Sequence, residues 1–427
     1  MSLRVKLDQA VGNAEMLLLA GLEKLQTGRV YNPTRPELRE DPYPYYRELR
    51  ENDPVHRSWP VGGWILSRHR DVTAILRDPS FSSDERNWSR FRRLSARNER
   101  AGFPDPYESE RASMLRNDPP DHSRLRNLVN KAFTPRAVEQ MRPRIEAIIK
   151  ELLDPLGAHG EMELVRDFAA PLPVIVIAEM LGIPVEDRDR FRQWSDEVIR
   201  TLGDATLEDR HSSERAMEEL GAYLLSVADE RRREPRNDLL SGLVAAEEAG
   251  VRLSENELAS MLVLLLVAGN ETTTNLIANG TVALLRHPEQ YRMLGQEPDL
   301  LPNAVEELLR FDSPVQLTSR MVTEETELDG RRLRPRQQIL LLLGAANRDP
   351  EAFPEPDRLD VRRQNIRHLS FGHGIHFCLG AQLARLEGVL AFRALVERYP
   401  GLELAGDQVE WRNNSVLRGP KALAVRF

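Results

Sequence analysis

The sequence predicts a mainly α chain with small β-sheets, built as a single large helical domain with a β-rich subregion. Three observations predict it. Helical apolar periodicity dominates from Pro120 to about Gln290, broken at Pro171, Pro184, Pro235 and Gly250. After Pro314 the pattern changes to short strand-like runs. No internal repeat and no linker divides the 427 residues, although that length alone allows two or three domains.

Residues 3–27 carry apolar side chains three and four apart: Leu7, Val11, Ala14, Leu18, Leu22 and Leu25. This spacing predicts an amphipathic helix whose apolar stripe packs on the protein's own body, with a partner or membrane surface as the alternative. Gly28 ends the pattern and a Pro-rich polar stretch follows, so residues 1–31 read as an N-terminal extension and 32–427 as the main domain. A short helix is expected from Tyr45. Strands over 55–58 and 64–67 then flank the Pro60-Val61-Gly62-Gly63 turn, and a helix covers 71–77.

Residues 81–120 read as one long irregular, arginine-rich stretch, interrupted by Gly102, Pro104 and Pro106. A loop of that length in a compact protein is usually functional. Residues 86–100 alone hold six arginines against one acid, a local balance of +5. Further strands are expected over 318–323, 327–328 and 339–343, and a final helix over 379–399.

Composition narrows the function. Hydrophobic residues at 41% and charged residues at 30% supply a large core under an ionised surface. Fifty-nine basic against 67 acidic residues give a net charge of −8, opposite to the basic excess of a general nucleic-acid binder. The one cysteine, Cys378, forms no internal disulfide and supplies no multi-cysteine zinc site, which points to a reducing, cytoplasmic setting. The longest apolar runs, 261–269 and 339–346, fall short of a spanning helix, so no transmembrane segment is expected.

Chemistry concentrates in Phe371-Gly-His-Gly-Ile-His-Phe-Cys378-Leu-Gly380. Glycines at 372, 374 and 380 permit tight turns and close approach to a flat ligand, and the start of the following helix favours a thiolate. Two plainer readings stand beside this one: an inert core thiol, or a zinc site with His373 and His376. Three glycines within nine residues speak against the first, and the spacing matches no usual structural zinc pattern.

Here the chain resembles the soluble bacterial cytochrome P450 family. The cysteine segment is similar to that family's haem-binding signature. Ala268-Gly269-Asn270-Glu271-Thr272 resembles its oxygen-activating segment, Glu307-Leu308-Leu309-Arg310 its Glu-x-x-Arg motif, and Pro356-Asp357-Arg358 the stretch supplying a second arginine to that glutamate. Leu359 stands where the family often has phenylalanine. The likeness runs from about Asn32 to the C-terminus.

The resemblance implies the cytochrome P450 fold and a haem-thiolate monooxygenase that inserts one oxygen atom from O2 into a small lipophilic substrate. Cys378 is then the ligand of the iron of haem b (iron protoporphyrin IX). His122, Arg126, Arg320 and His376 are expected at its propionates, with Ala268, Phe371, Gly372 and Gly380 against the ring. Glu271 and Thr272 form an acid–alcohol pair for proton delivery, beside a helix expected to open locally at Gly269 and Thr272–Thr274. Glu307, Arg310 and Arg358 form a structural ion network. Leu264, Val267, Ala268, residues 315–317 and the 81–116 loop are expected to line the substrate site, with Phe91 and Leu94 facing the haem and one of the lid arginines holding a substrate anion. No flavin or nicotinamide fingerprint is visible, so electrons from NAD(P)H are expected through a separate ferredoxin and ferredoxin reductase, docking near Arg124, Lys131 and Arg136. A peroxide-driven peroxygenase and a non-catalytic haem sensor are the minor readings; the Glu271–Thr272 pair speaks against both.

Overall fold

A computed structural model describes residues 3–427 apart from 33–34, 101–102, 104–112, 158–159, 200–206, 249 and 407. At its centre lies a 31-residue helix, Glu255–Leu285. A capping box starts it: the Ser254 hydroxyl accepts from the Glu257 N–H, and the Glu257 carboxylate accepts from the Ser254 N–H. This helix is long and apolar enough to cross a membrane by length and composition, contrary to the reading of the apolar runs. The unbroken apolar run ends at Gly269, but the polar residues at 270–275 are too few to bring the helix's mean hydropathy below 1.4 over its apolar window. In the fold the helix is the axis of the core, and most of that apolar window is buried.

Helices Pro171–Met180, Leu207–Arg233, Leu301–Phe311 and Ala381–Arg398 pack around it. Leu172, Val176, Leu224, Leu262, Leu308 and Leu395 join in one continuous apolar core. The β-rich subregion is a five-stranded sheet in the order Val55–Ser58, Gly63–Leu66, Gln338–Leu342, Leu317–Val322, Phe81–Ser82. The Gly63–Leu66 and Gln338–Leu342 strands run parallel and the other pairs antiparallel. This sheet sets Arg320 opposite Ile339 and holds it at the cavity described below.

The N-terminal helix, Leu3–Thr27, packs on the protein's body through a polar residue. Glu23 is fully buried and accepts from Tyr31 N (2.7 Å), Ser58 Oγ (2.8 Å) and Trp59 N (2.9 Å). The expected apolar stripe faces outward, with Leu18 68%, Leu22 40% and Leu25 84% exposed; the side chains of Leu7 and Val11 lie outside the described ones. The reason is local. The Val55–Ser58 strand end presents donors and an imidazole that only an acceptor satisfies, so the helix rotates its carboxylate inward.

The stretch expected to be irregular contains a helix, Phe91–Arg100, and single turns at Glu85–Asn87 and Met114–Arg116. Its buried face is Phe91, Ser95 and Asn98, mostly polar, so apolar periodicity gave no sign of it. Gly102, Pro104 and Pro106 lie outside the described residues.

Candidate active site

The cysteine loop is shaped by backbone geometry. Gly372 and Gly374 take φ of 68° and 71°, the left-handed region that favours glycine. A Cβ on Gly374 would meet the Leu76 carbonyl oxygen at 2.3 Å, so the loop presses directly on the helix His69–Arg77. The Cys378 N–H donates to Phe371 O at 2.9 Å, and Gly380 caps the helix Ala381–Arg398. The Arg385 guanidinium lies 4.6 Å over the Phe371 ring.

Cys378 is exposed only in the sense that its thiol opens onto a cavity; protein encloses the rest. Burial pushes the thiol up, while the N–H groups of Gly380 and Ala381 and the guanidinium groups of Arg126 and Arg385 pull it down, leaving a net rise. A metal cation above the sulfur would remove the proton outright.

The cavity measures about 600 Å³ and is lined by Cys378, Phe371, Gly372, Gly380, His122, Arg126, Arg320, His376, Ala268 and Thr272. All of the expected cofactor-binding residues therefore meet on one space. His122 is 2% exposed and neither ring nitrogen has a hydrogen-bond partner. Its ring lies 4.2 Å from that of His376, whose Nε2 is 2.9 Å from Ser83 Oγ. Burial, then Arg320, His122 and Arg126, push His376 down to about 3. Burial pushes Arg320 down to about 10, with Asp118 opposing. Two guanidinium groups, buried Arg320 and half-buried Arg126, stand here beside two imidazoles, of which His122 is unpartnered. Such a set fits the two propionates of a haem, whose negative charge would answer that of the guanidinium groups. The thiol on the same cavity fits its iron.

Across the cavity, Thr272 Oγ1 donates to Ala268 O at 2.7 Å. The expected local opening is not seen: the helix is continuous from Glu255 to Leu285, and the hydroxyl's bond to the carbonyl four residues back fits into the intact turn. Glu271 turns away from the cavity. It is 5% exposed, and its Oε1 lies 2.9 Å from Arg412 Nη1 and 3.3 Å from Asn275 Nδ2. Burial pushes its carboxyl up; Arg412 and Asn275 oppose this, and Asp196 adds to it.

Glu307 and Arg310 are fully buried and form two contacts of 2.7 and 2.8 Å. The second arginine is Arg363, whose Nε lies 3.1 Å from Glu307 Oε1. Arg358 was the expected one, and this is a correction. Its side chain is 61% exposed beside Glu355, and only its carbonyl takes part, accepting from Arg310 and Arg363. The chain turns at Glu355 (φ 47°) and Asn365 (φ 57°), which brings the later arginine inward.

Leu264, Ala268, Val315 and Leu317 line the cavity as expected, whereas Val267 and Gln316 do not. The described residues of the 81–116 stretch contribute Ser83, Glu85 and Met114–Arg116, not Phe91 or Leu94. Arg90, one of the lid arginines expected to hold a substrate anion, donates instead to Trp59 O (2.7 Å) and Pro60 O (2.5 Å). Arg124, expected to face a partner, pairs with Glu257. Sequence reasoning missed Glu387, a cavity-lining acid that burial pushes up to about 8 and whose Oε2 has no partner. It occupies an inward position of the last helix, where the alternation of apolar residues gave no sign of an acid. Among the described residues no cluster of three or more metal-ligating side chains exists, which removes the zinc alternative at His373, His376 and Cys378.

Comparison with known proteins agrees with this geometry. A family model described as Cytochrome P450 matches residues 90–427. The polyketide biosynthesis cytochrome P450 PksS of Bacillus subtilis is 40% identical over 415 residues, covering 95% of this chain and 99% of that protein. The cytochrome P450 monooxygenase PikC of Streptomyces venezuelae is 42% identical, covering 91% of each chain. A solved structure of P450BioI in complex with hexadec-9Z-enoic acid ligated acyl carrier protein superposes with a TM-score of 0.83 at 37% identity, covering 92% of this chain and 99% of that one.

Proposed function

The chain belongs to the cytochrome P450 family and is a haem-thiolate monooxygenase acting on lipophilic substrates with haem b, O2 and electrons from NAD(P)H through redox partners; from that premise we propose how its own residues divide the work. When bound, haem with a thiolate ligand supplies dioxygen activation and transfer of one oxygen atom to a C–H or C=C bond. Cys378 is the residue that would hold its iron, and His122, Arg126, Arg320 and His376 its propionates. Phe371, Gly372, Gly380 and Ala268, which line the same cavity, would flank the ring. Thr272 presents a hydroxyl to the same cavity, and Glu271 stands behind it as the acid of the pair. Glu307, Arg310 and Arg363 brace the cysteine loop from below.

Residues 1–31 act as an extension and 32–427 as the haem domain. The redox partners are a ferredoxin and its reductase, and the protein works in the cytoplasm. The relatives' names favour an aliphatic, polyketide-like or acyl substrate, and a wall of Leu264, Leu265, Val315 and Leu317 suits one.

One observation carries this reading: the only thiol in the chain shares a cavity with the Arg126 and Arg320 guanidinium groups, two imidazoles and a threonine hydroxyl. The test is the spectrum of the reduced, carbon monoxide-treated holoprotein. A strongly red-shifted Soret band is expected, and its loss in Cys378→His. An unshifted band in the unmodified protein overturns the reading.

A further inference from the structure

Glu271 and Thr272 are adjacent in sequence yet serve different spaces. Thr272 lines the large cavity. Glu271 lines neither that cavity nor a second, smaller hollow of about 20 Å³ beneath the C-terminal hairpin, between Tyr31, Arg39, Trp411, Arg412 and Arg418. One water needs roughly 10–15 Å³, so that hollow has room for one. Arg412 connects the two sites: it lines the hollow, is 31% exposed, and sets Nη1 2.9 Å from Glu271 Oε1.

The hairpin carrying Arg412, in which Glu410–Trp411 pairs antiparallel with Pro420–Ala422, is fixed to the long helix. Asn279 Nδ2 donates to Arg418 O at 2.9 Å, and a Cβ on Gly419 would lie 1.9 Å from Asn275 Oδ1, so only glycine lets the backbone lie flush there. Arg418 in turn bonds Asp312 at 2.9 Å and lies 3.7 Å over the Trp411 ring. Arg412 Nε donates to Pro420 O at 3.2 Å, which orients its guanidinium toward the helix. None of these contacts involves the substrate lid.

Resting on the monooxygenase reading, we propose that Arg412 is a positioning residue: it aims the Glu271 carboxyl at a solvent inlet beneath the C-terminal hairpin, so that protons reach the Thr272 side from there and not through the substrate cavity. A lipophilic substrate expels water from the large cavity, so a route that bypasses it keeps protons available while the substrate is bound. The carboxyl O–H breaks inward, and the carboxylate takes a proton back from bulk solvent entering along the part-exposed Arg412; the acid ends each cycle as it began. The charged groups facing Glu271 are Arg412 from the hairpin and Asp196 from the helix Arg188–Ile199. Arg412 favours the carboxylate, while Asp196 and burial favour the acid.

The test uses the full-length holoprotein with Arg412→Gln and Arg412→Lys. The C=O stretch of the neutral Glu271 acid, assigned by its loss in Glu271→Gln, is titrated by infrared difference spectroscopy. In Arg412→Gln the midpoint rises, and in Arg412→Lys it returns. Product formation falls several-fold in Arg412→Gln, and the alkaline limb of product per NAD(P)H moves to higher pH, with the substrate-binding spectrum unchanged. If Arg412→Gln does not fold, Arg412→His gives the same contrast across its own titration. An unmoved midpoint with product from the unmodified protein overturns this proposal alone, as does a moved midpoint with an unmoved pH profile. Absence of product from the unmodified protein overturns the monooxygenase reading and this proposal together.

Discussion

Arg363 Nε lies 3.1 Å from Oε1 of Glu307, an oxygen that also accepts from Arg310 Nη2 at 2.8 Å and from Asp360 N at 3.0 Å. Both charges sit with almost no solvent, Glu307 at 0% and Arg363 at 10% side-chain exposure. Arg363 also donates to Pro354 O, Glu355 O and Arg358 O, so it ties the 354–358 segment to the carboxylate.

Removing it leaves Glu307 short of a buried counter-charge. Arg363→Ala is expected to cost about 3 kcal/mol of stability and to lower haem retention. Arg358→Ala removes one exposed pair and is expected to stay within about 0.5 kcal/mol. Thermal melts of the two variants decide the matter; equal losses would mean the network does not distinguish them.

Legibility in the sequence followed distance along the chain. Glu307 and Arg310 share a helix face three residues apart, and the Cys378 loop is marked by its own glycines, so both were readable locally. Arg363 reaches Glu307 only because the backbone between turns at Glu355, a non-glycine residue with positive φ that no propensity announces. The pairing of Glu271 with Arg412 spans most of the C-terminal third of the chain and has no periodic signature. The N-terminal helix shows the opposite failure. Its period was right and its inward face wrong, because one buried carboxylate with several donors outweighs a stripe of leucines.

Thr272→Ala is expected to keep haem and substrate spectra but to lower product per NAD(P)H about tenfold, the equivalent of one hydrogen bond of ~1.4 kcal/mol, with peroxide making up the difference. Thr272→Ser should restore most of the ratio. The Thr272 hydroxyl faces the cavity from an intact helix, so the effect is chemical and the melting temperature should hold. An unchanged ratio would reduce Thr272 to a helix residue.

The clasp of the N-terminal helix is expected to be pH-dependent. His56 sets Nε2 3.0 Å from Glu23 Oε1 and Nδ1 2.8 Å from Asp53 Oδ2, both within a site with no solvent on the ring. A carboxylate at each nitrogen requires both to donate, so the imidazole is charged. Burial pulls His56 down, but the bonds to Asp53 and Glu23 outweigh it and the net shift is upward. Its stabilisation is therefore complete below the ordinary value of 6.5 and is lost as pH rises through the higher folded value. Glu23 is shifted downward despite burial, so its share is present above 4.5 and lost as pH falls through the lower folded value. Melting temperature against pH should fall on the alkaline side in the unmodified protein and flatten there in His56→Gln, which itself should cost about 3 kcal/mol. Parallel curves for the two proteins would exclude the clasp.

The lid arginines divide by what they touch. Arg86 pairs with Asp84, and Arg90 is bound to the carbonyl groups of Trp59 and Pro60. Neither therefore offers a guanidinium to a substrate. Arg116 lines the cavity wall, 3.3 Å from Glu85, which lines it too. A ligand carboxylate reaching Arg116 competes with Glu85 for it, so the gain is the difference between two charge-assisted contacts and not the whole of one. A fatty acid is accordingly expected to bind up to about tenfold tighter than its methyl ester, or ~1.4 kcal/mol, as read from substrate-induced spectral titration. That preference should disappear in Arg116→Ala, grow in Glu85→Gln as the competing carboxylate is neutralised, and survive unchanged in Arg90→Ala. Equal binding of acid and ester by the unmodified protein would leave the Glu85–Arg116 pair as a fastener of the lid, with no part in choosing the substrate.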